Sequence, residues 1–128
     1  MLAVMIIGSL LPGVALADSG APQALNALQE QAIQKAVKES LKDPESASFK
    51  GLLGGQGSNG TQTACGFVNA KNSFGGYEGF APFHGLLVTY TTEDGATKVY
   101  GFSVVTIAGA GISAQSVYDW CIRDGINL

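Results

Sequence analysis

Charge is scarce in this chain, and cysteine, histidine, tryptophan and proline are scarcer. Of 128 residues only 13% are charged, and there are two cysteines, one histidine, one tryptophan and four prolines. Ten acidic residues against seven basic ones give a formal net charge of -3. The basic residues form no run: Lys35, Lys38 and Lys42 lie along one predicted helix beside Glu39, as a solvated face does, and the rest are scattered. Nucleic acid and anionic membrane surfaces both demand a basic patch, so neither is expected as a partner. One histidine and two dispersed cysteines do not supply the ligand set of a zinc site, and no cofactor is expected. The stretch Gly54–Gly60 lacks the Lys-Ser/Thr of a phosphate-binding loop and does not join a strand to a helix.

Long apolar runs are also missing. Met1–Leu11 is apolar and uncharged but is broken by Pro12-Gly13, short of the roughly 20 residues that span a bilayer. Ala15-Leu16-Ala17 before Asp18 fits the small-x-small rule of a secretory cleavage site, although the usual positive start is absent. Residues 1–17 therefore read as a signal peptide. The expected product, residues 18–128, is a single small domain, periplasmic or secreted, with no stable membrane insertion after cleavage. Two cysteines in an exported chain predict one disulfide, Cys65 to Cys121.

After a polar tether, 18–21, the spacing predicts a helix over Pro22–Lys42. Leu25, Leu28, Ala32, Ile33, Ala36, Val37 and Leu41 make one apolar stripe. Pro22 suits its first turn, and Asp43-Pro44 ends it. Strands are expected over 47–53, 61–70, 82–92 and 96–107, with Gly54–Gly60 a flexible loop and Glu93-Asp94-Gly95 a hairpin turn. The fourth strand is apolar on both faces, which predicts a central place. Ser113–Asp124 reads as a short helix with Val117, Trp120 and Cys121 inward, stopped by Gly125. The fold class is α+β: an amphipathic helix near the start, a four-stranded, mainly antiparallel sheet and a short C-terminal helix, with both helices expected on one face.

The densest block of unusual chemistry is Cys65–Phe83. Within it Phe74, Tyr77 and Phe80 recur every third residue around Gly75, Gly76 and Gly79. Glycine allows sharp turns or a close approach to a ligand, and tyrosine offers a flat apolar face with a hydroxyl. With Asn69, Lys71 and Asn72, these aromatics are the candidate contacts for a ligand or protein partner. Equally, they can fold back over the sheet end while the asparagines bond local backbone. Other constellations are thinner. Cys65, His84 and Asn69 or Asn72 supply the residue types of a cysteine hydrolase, but that chemistry needs a free thiolate. Glu78, Glu93 and Asp94 offer carboxylates without an evident pairing. His84 otherwise reads as a partly exposed histidine at a strand end.

Two blocks, Leu41-Lys-Asp-Pro-Glu-Ser-Ala-Ser-Phe49 and Cys65-Gly-Phe-Val-Asn-Ala-Lys-Asn-Ser-Phe-Gly-Gly-Tyr-Glu-Gly-Phe80, resemble a family of small exported proteins of proteobacteria and their prophages. The resemblance implies export, a compact fold and a disulfide. It carries no activity and no catalytic residue. Phe67 departs from the family pattern, where a polar or charged residue is expected, and adds an apolar group to its face of the strand. The function expected on these grounds is a non-catalytic exported domain that binds a protein or other envelope partner. The alternatives are a structural or assembly subunit of envelope or phage origin, and a small cysteine hydrolase.

Overall fold

The computed structural model describes residues 22–109 and 111–128. The expected signal peptide, and the tether through residue 21, lie outside them. Among the described residues the chain folds as α1 (Ala27–Glu39), β1 (Ser48–Gln56), β2 (Gln62–Asn69), β3 (Ala81–Thr91), β4 (Lys98–Ile107) and α2 (Ala114–Arg123), with one 3-10 turn at Pro44–Ser46.

The first helix is shorter than its apolar stripe suggests. Asn26 caps it: the Gln29 N–H donates to Asn26 Oδ1 at 2.8 Å and the Asn26 N–H donates to Gln29 Oε1 at 2.9 Å. This reciprocal pair satisfies two of the N–H groups a helix start leaves open, so the helix begins there and not at Pro22. The chain before it is extended, with Gln23 paired to Gly54 on the outer edge of β1. Ile33 and Val37 are the residues of α1 buried outright.

The strands form one antiparallel meander in the order β1-β2-β3-β4. Strand side chains alternate between faces, and β2 shows what each face meets. Ala64 and Val68 pack with Ile33 and Val37 of α1, together with Phe83 and Leu87. Cys65, between them in sequence, packs with Val117 and Cys121 of α2 and with Ile126. The two helices therefore lie on opposite faces, not on one. A single hydrophobic strand serves two cores because each face of β2 is covered by a different helix.

Two further expectations are corrected. Gly54 and Gly55 belong to β1, not to a flexible loop. A Cβ on Gly55 would lie 2.5 Å from the Asp124 carbonyl oxygen and 2.6 Å from Ile126 Cγ1, so glycine there lets the C-terminal segment close onto the strand. And β4 is an edge strand, not a central one. Phe102, Val104 and Ile107 face the α1 side, whereas Val99 and Val105 are exposed. The apolar residues Val99 and Val105 on its second face are about half exposed, which composition alone does not reveal.

The β3–β4 connection is the expected hairpin, with Gly95 at φ 71°. The Asp94 carboxylate accepts from the Thr92 hydroxyl and from the Ala96 N–H. Those two bonds, the hydroxyl first, hold its carboxyl below the ordinary aspartate value. Gly125, at φ 79°, ends α2 as expected: the Ile126 N–H donates to the Cys121 carbonyl at 2.8 Å and the Gly125 N–H to that of Ile122 at 3.0 Å. That reversal swings Ile126 into the core beneath the helix.

Candidate functional site: a loop, a cavity and a buried clasp

Residues 70–80 connect β2 to β3 as an ordered, hairpin-like loop in which Lys71 pairs with Tyr77. Asn72 organises it. Its Oδ1 accepts the N–H groups of Phe74 at 2.9 Å and Gly76 at 3.1 Å, and its Nδ2 donates to Glu78 Oε1 at 3.0 Å. An asparagine that bonds backbone two residues ahead mimics a turn without a second strand. Gly75, at φ 78°, supplies the left-handed position at the tip. The loop is tied to the rest of the molecule at Ser46, whose Oγ accepts the Lys71 N–H at 2.8 Å and whose carbonyl accepts the Tyr77 hydroxyl at 3.3 Å.

The structure divides the sequence-predicted site residues. Phe74 stands at the tip, 97% exposed, with its ring in solvent. Tyr77 is half exposed and anchored through its hydroxyl. Phe80 packs beneath Lys50, whose Nζ lies 4.2 Å from the ring centroid and 5.4 Å from that of Phe67. Phe67 in turn meets Tyr118 of α2 at 6.2 Å between centroids, which gives this additional aromatic a place in the packing. Asn69 ends β2, on the face opposite Val68; its side-chain oxygen is buried and lacks a hydrogen-bond partner. Asn69 thus does not join the other loop residues.

Lys71, Asn72 and Phe80 do share a feature invisible in sequence. They line an open cavity of about 570 Å³, bounded also by Leu41 and Lys42 after α1 and by Ile107 and Ala108 at the end of β4. That volume falls in the range of about 300–1,000 Å³ typical of ligand sites. Lys42 and Lys71, 29 positions apart by subtraction of their numbers, both line it. The sequence places Lys42 only on the solvated face of the first helix, because nothing in its neighbourhood announces the loop 70–80.

The residue types suspected of hydrolysis are also assembled, but for another use. Cys65 is the cross-strand partner of His84 on β3. Cys65 and Cys121 sit at disulfide bonding distance, with Cα atoms 6.2 Å apart, and no free cysteine occurs among the described residues. His84 is not a partly exposed strand-end residue: it is 6% exposed, and its Nε2 lies 2.7 Å from Asp124 Oδ2. Trp120 of α2, 43% exposed and so not inward as expected, sets its ring edge-on to the imidazole at 5.5 Å. The disulfide and the His84–Asp124 pair form two adjacent links that hold α2 to the sheet. Asp124 lies 40 positions from His84, and no spacing rule pairs them.

The carboxylates are not brought together. Glu78 is held by Asn72 in the loop preceding β3, and Glu93 and Asp94 lie in the turn after β3, roughly 35 Å away along an eleven-residue strand. Among the described residues no three His, Cys, Asp or Glu side chains gather as a metal site, and no helix is long and apolar enough to cross a membrane. Comparison of the chain with protein-family models, with curated proteins and with solved structures found no match.

Proposed function

We propose that this chain is an exported, non-catalytic binding domain that engages a protein partner in the cell envelope through the loop 70–80. The observation that carries the reading is Phe74. A large apolar side chain held fully in water on an ordered turn gains nothing for the isolated fold, and aromatic anchors of this kind carry much of the energy of protein interfaces. The turn beneath it is fixed by Asn72, so little ordering remains for binding to impose. Paired cysteines fit an oxidising compartment, and the likeness of the Cys65–Phe80 block to exported proteins supports the same location. Cys65 held in a disulfide and His84 engaged by Asp124 weigh against the cysteine-hydrolase alternative.

A photoreactive phenylalanine at position 74 tests this. Irradiation of the envelope fraction is expected to yield a discrete cross-linked species, competed away by excess wild-type protein but not by Phe74→Asp, whose stability stays within about 0.5 kcal/mol of wild type. Equal competition by both proteins would remove Phe74 from any interface. A second reading, a structural or assembly subunit, is favoured by one observation: the edge strand β4 leaves Val99 and Val105 about half exposed beside Leu86 and Tyr90 of β3. Exposed apolar edges template strand addition. Light scattering decides between them, since assembly predicts a mass that rises with concentration and the binding domain a constant monomer.

A further inference from the structure

We propose that the cavity behind the loop receives the C-terminal residue of a protein partner, with an apolar side chain inside and the free α-carboxylate at the mouth between Lys42 and Lys71. The inference rests on the reading of the loop as a protein-binding element and names the chemistry it recognises.

The cavity lining is mostly apolar, with Lys42 and Lys71 among its polar residues. Leu41, Val68, Phe80, Pro82, Ile107 and Ala108 supply the walls. Lys42 and Lys71 are both exposed, and among the described residues neither has a carboxylate at ion-pair distance; the Lys71 Nζ lies 5.9 Å from the centroid of the Tyr77 ring. Glu78 also lines the cavity and carries a negative charge, its Oε1 accepting from the Asn72 amide, so the lining carries two cations against one anion. Lys50 is not one of the lining residues; its Nζ packs over the Phe80 ring from the Phe67 side. On a chain of net charge -3, the lining is a local reversal of sign, complementary to an anion with an apolar body.

A chain terminus meets that pattern more economically than an internal segment. Its carboxylate and its side chain leave the same Cα, so one residue places charge at the mouth and hydrocarbon within. An internal acidic residue needs a neighbour to fill the cavity, and it carries further peptide N–H and C=O groups past walls that are mostly apolar. Capture of terminal carboxylates is a recurring mode of peptide recognition. Lysine suits it as a mobile point charge that can meet a carboxylate without fixed fork geometry.

The test is an NMR titration of the disulfide-bonded protein with acetyl-Ser-Gly-Ser-Phe-Leu bearing a free carboxylate, with the same peptide as its C-terminal amide, and with dodecanoate. The expected result is saturable shifts at the amides of Leu41, Lys71 and Ala108, with the amidated peptide binding about tenfold or more weakly. The double variant Lys42→Gln, Lys71→Gln is expected to lose the same factor while its spectrum elsewhere is unchanged, which shows that it folds. Equal affinity for acid and amide overturns the proposal, as does unaltered binding by the double variant or the absence of saturable shifts at millimolar peptide. Dodecanoate binding there without the peptide also overturns it and assigns the cavity to acyl carboxylates. Specific cross-linking through position 74 alongside a failed titration sinks this inference alone; a positive titration without Phe74-dependent cross-linking sinks the loop reading instead.

Discussion

The loop 70–80 and the attachment of α2 lie on one small sheet and use their side chains in opposite ways. At α2, groups with chemical potential are buried and spent on architecture: Cys65 on Cys121, and His84 on Asp124. In the loop, a phenylalanine with no chemistry beyond its apolar surface is held out in water by an asparagine that does the structural work. The contrast shows why residue type is a poor guide to role. A histidine or cysteine is functional only if its reactive atom remains available, and a phenylalanine is structural only if something covers it.

The contrast can be broken most forcefully at the disulfide. Replacing Cys65 and Cys121 together by serine releases a link with a sequence separation of 56. Loop-closure arithmetic gives a loss of about 4 kcal/mol, read from urea unfolding of the variant beside the oxidised wild type. A loss under about 1 kcal/mol would mean that α2 is held by other contacts. Next in size is Asp124→Ala, expected to cost about 2 kcal/mol because it leaves the buried His84 Nε2 without its hydrogen-bond partner. The exposed Asp119 is the internal control, and Asp119→Ala should stay within about 0.5 kcal/mol of wild type. Equal effects at the two positions would remove the structural role assigned to the pair.

The smallest effect belongs to the loop. Asn72→Ala removes bonds to the Phe74 and Gly76 N–H groups, each worth about 1 kcal/mol where it is made. Because the loop is exposed, global stability should change by less than about 1 kcal/mol, while amide exchange at Phe74 and Gly76 speeds up by about fivefold or more. Unchanged exchange would show that the turn does not depend on Asn72, and that the ordering under Phe74 has another source.

Much of the scaffold was legible in the residues themselves. The apolar spacing through Ile33 and Val37 marks α1, Asp94-Gly95 marks the hairpin and Gly125 marks the end of α2, because each signal acts within a few residues of its cause. The candidate loop was legible as composition and only half legible as geometry. Asn72 and Gly75 announce a turn, but whether Phe74 folds back or points outward depends on what lies above it. Pro22 misleads because a proline tolerates a helix start without demanding one, whereas Asn26 with Gln29 supplies real hydrogen bonds. Gly54 and Gly55 mislead because glycine signals both a loose loop and a tight approach, and only the position of Ile126 tells them apart.

The sequence by itself determined the local order of elements, the turns between them and the pairing available to its two cysteines. Those properties follow from backbone preferences and from counting. The tertiary structure alone decided that the helices cover opposite faces, that β4 is an edge, that His84 finds Asp124, and that Lys42 and Lys71 open onto one cavity. Each of these depends on which distant surface comes to lie against a residue, and burial of apolar area, the force that settles it, has no direction along the chain.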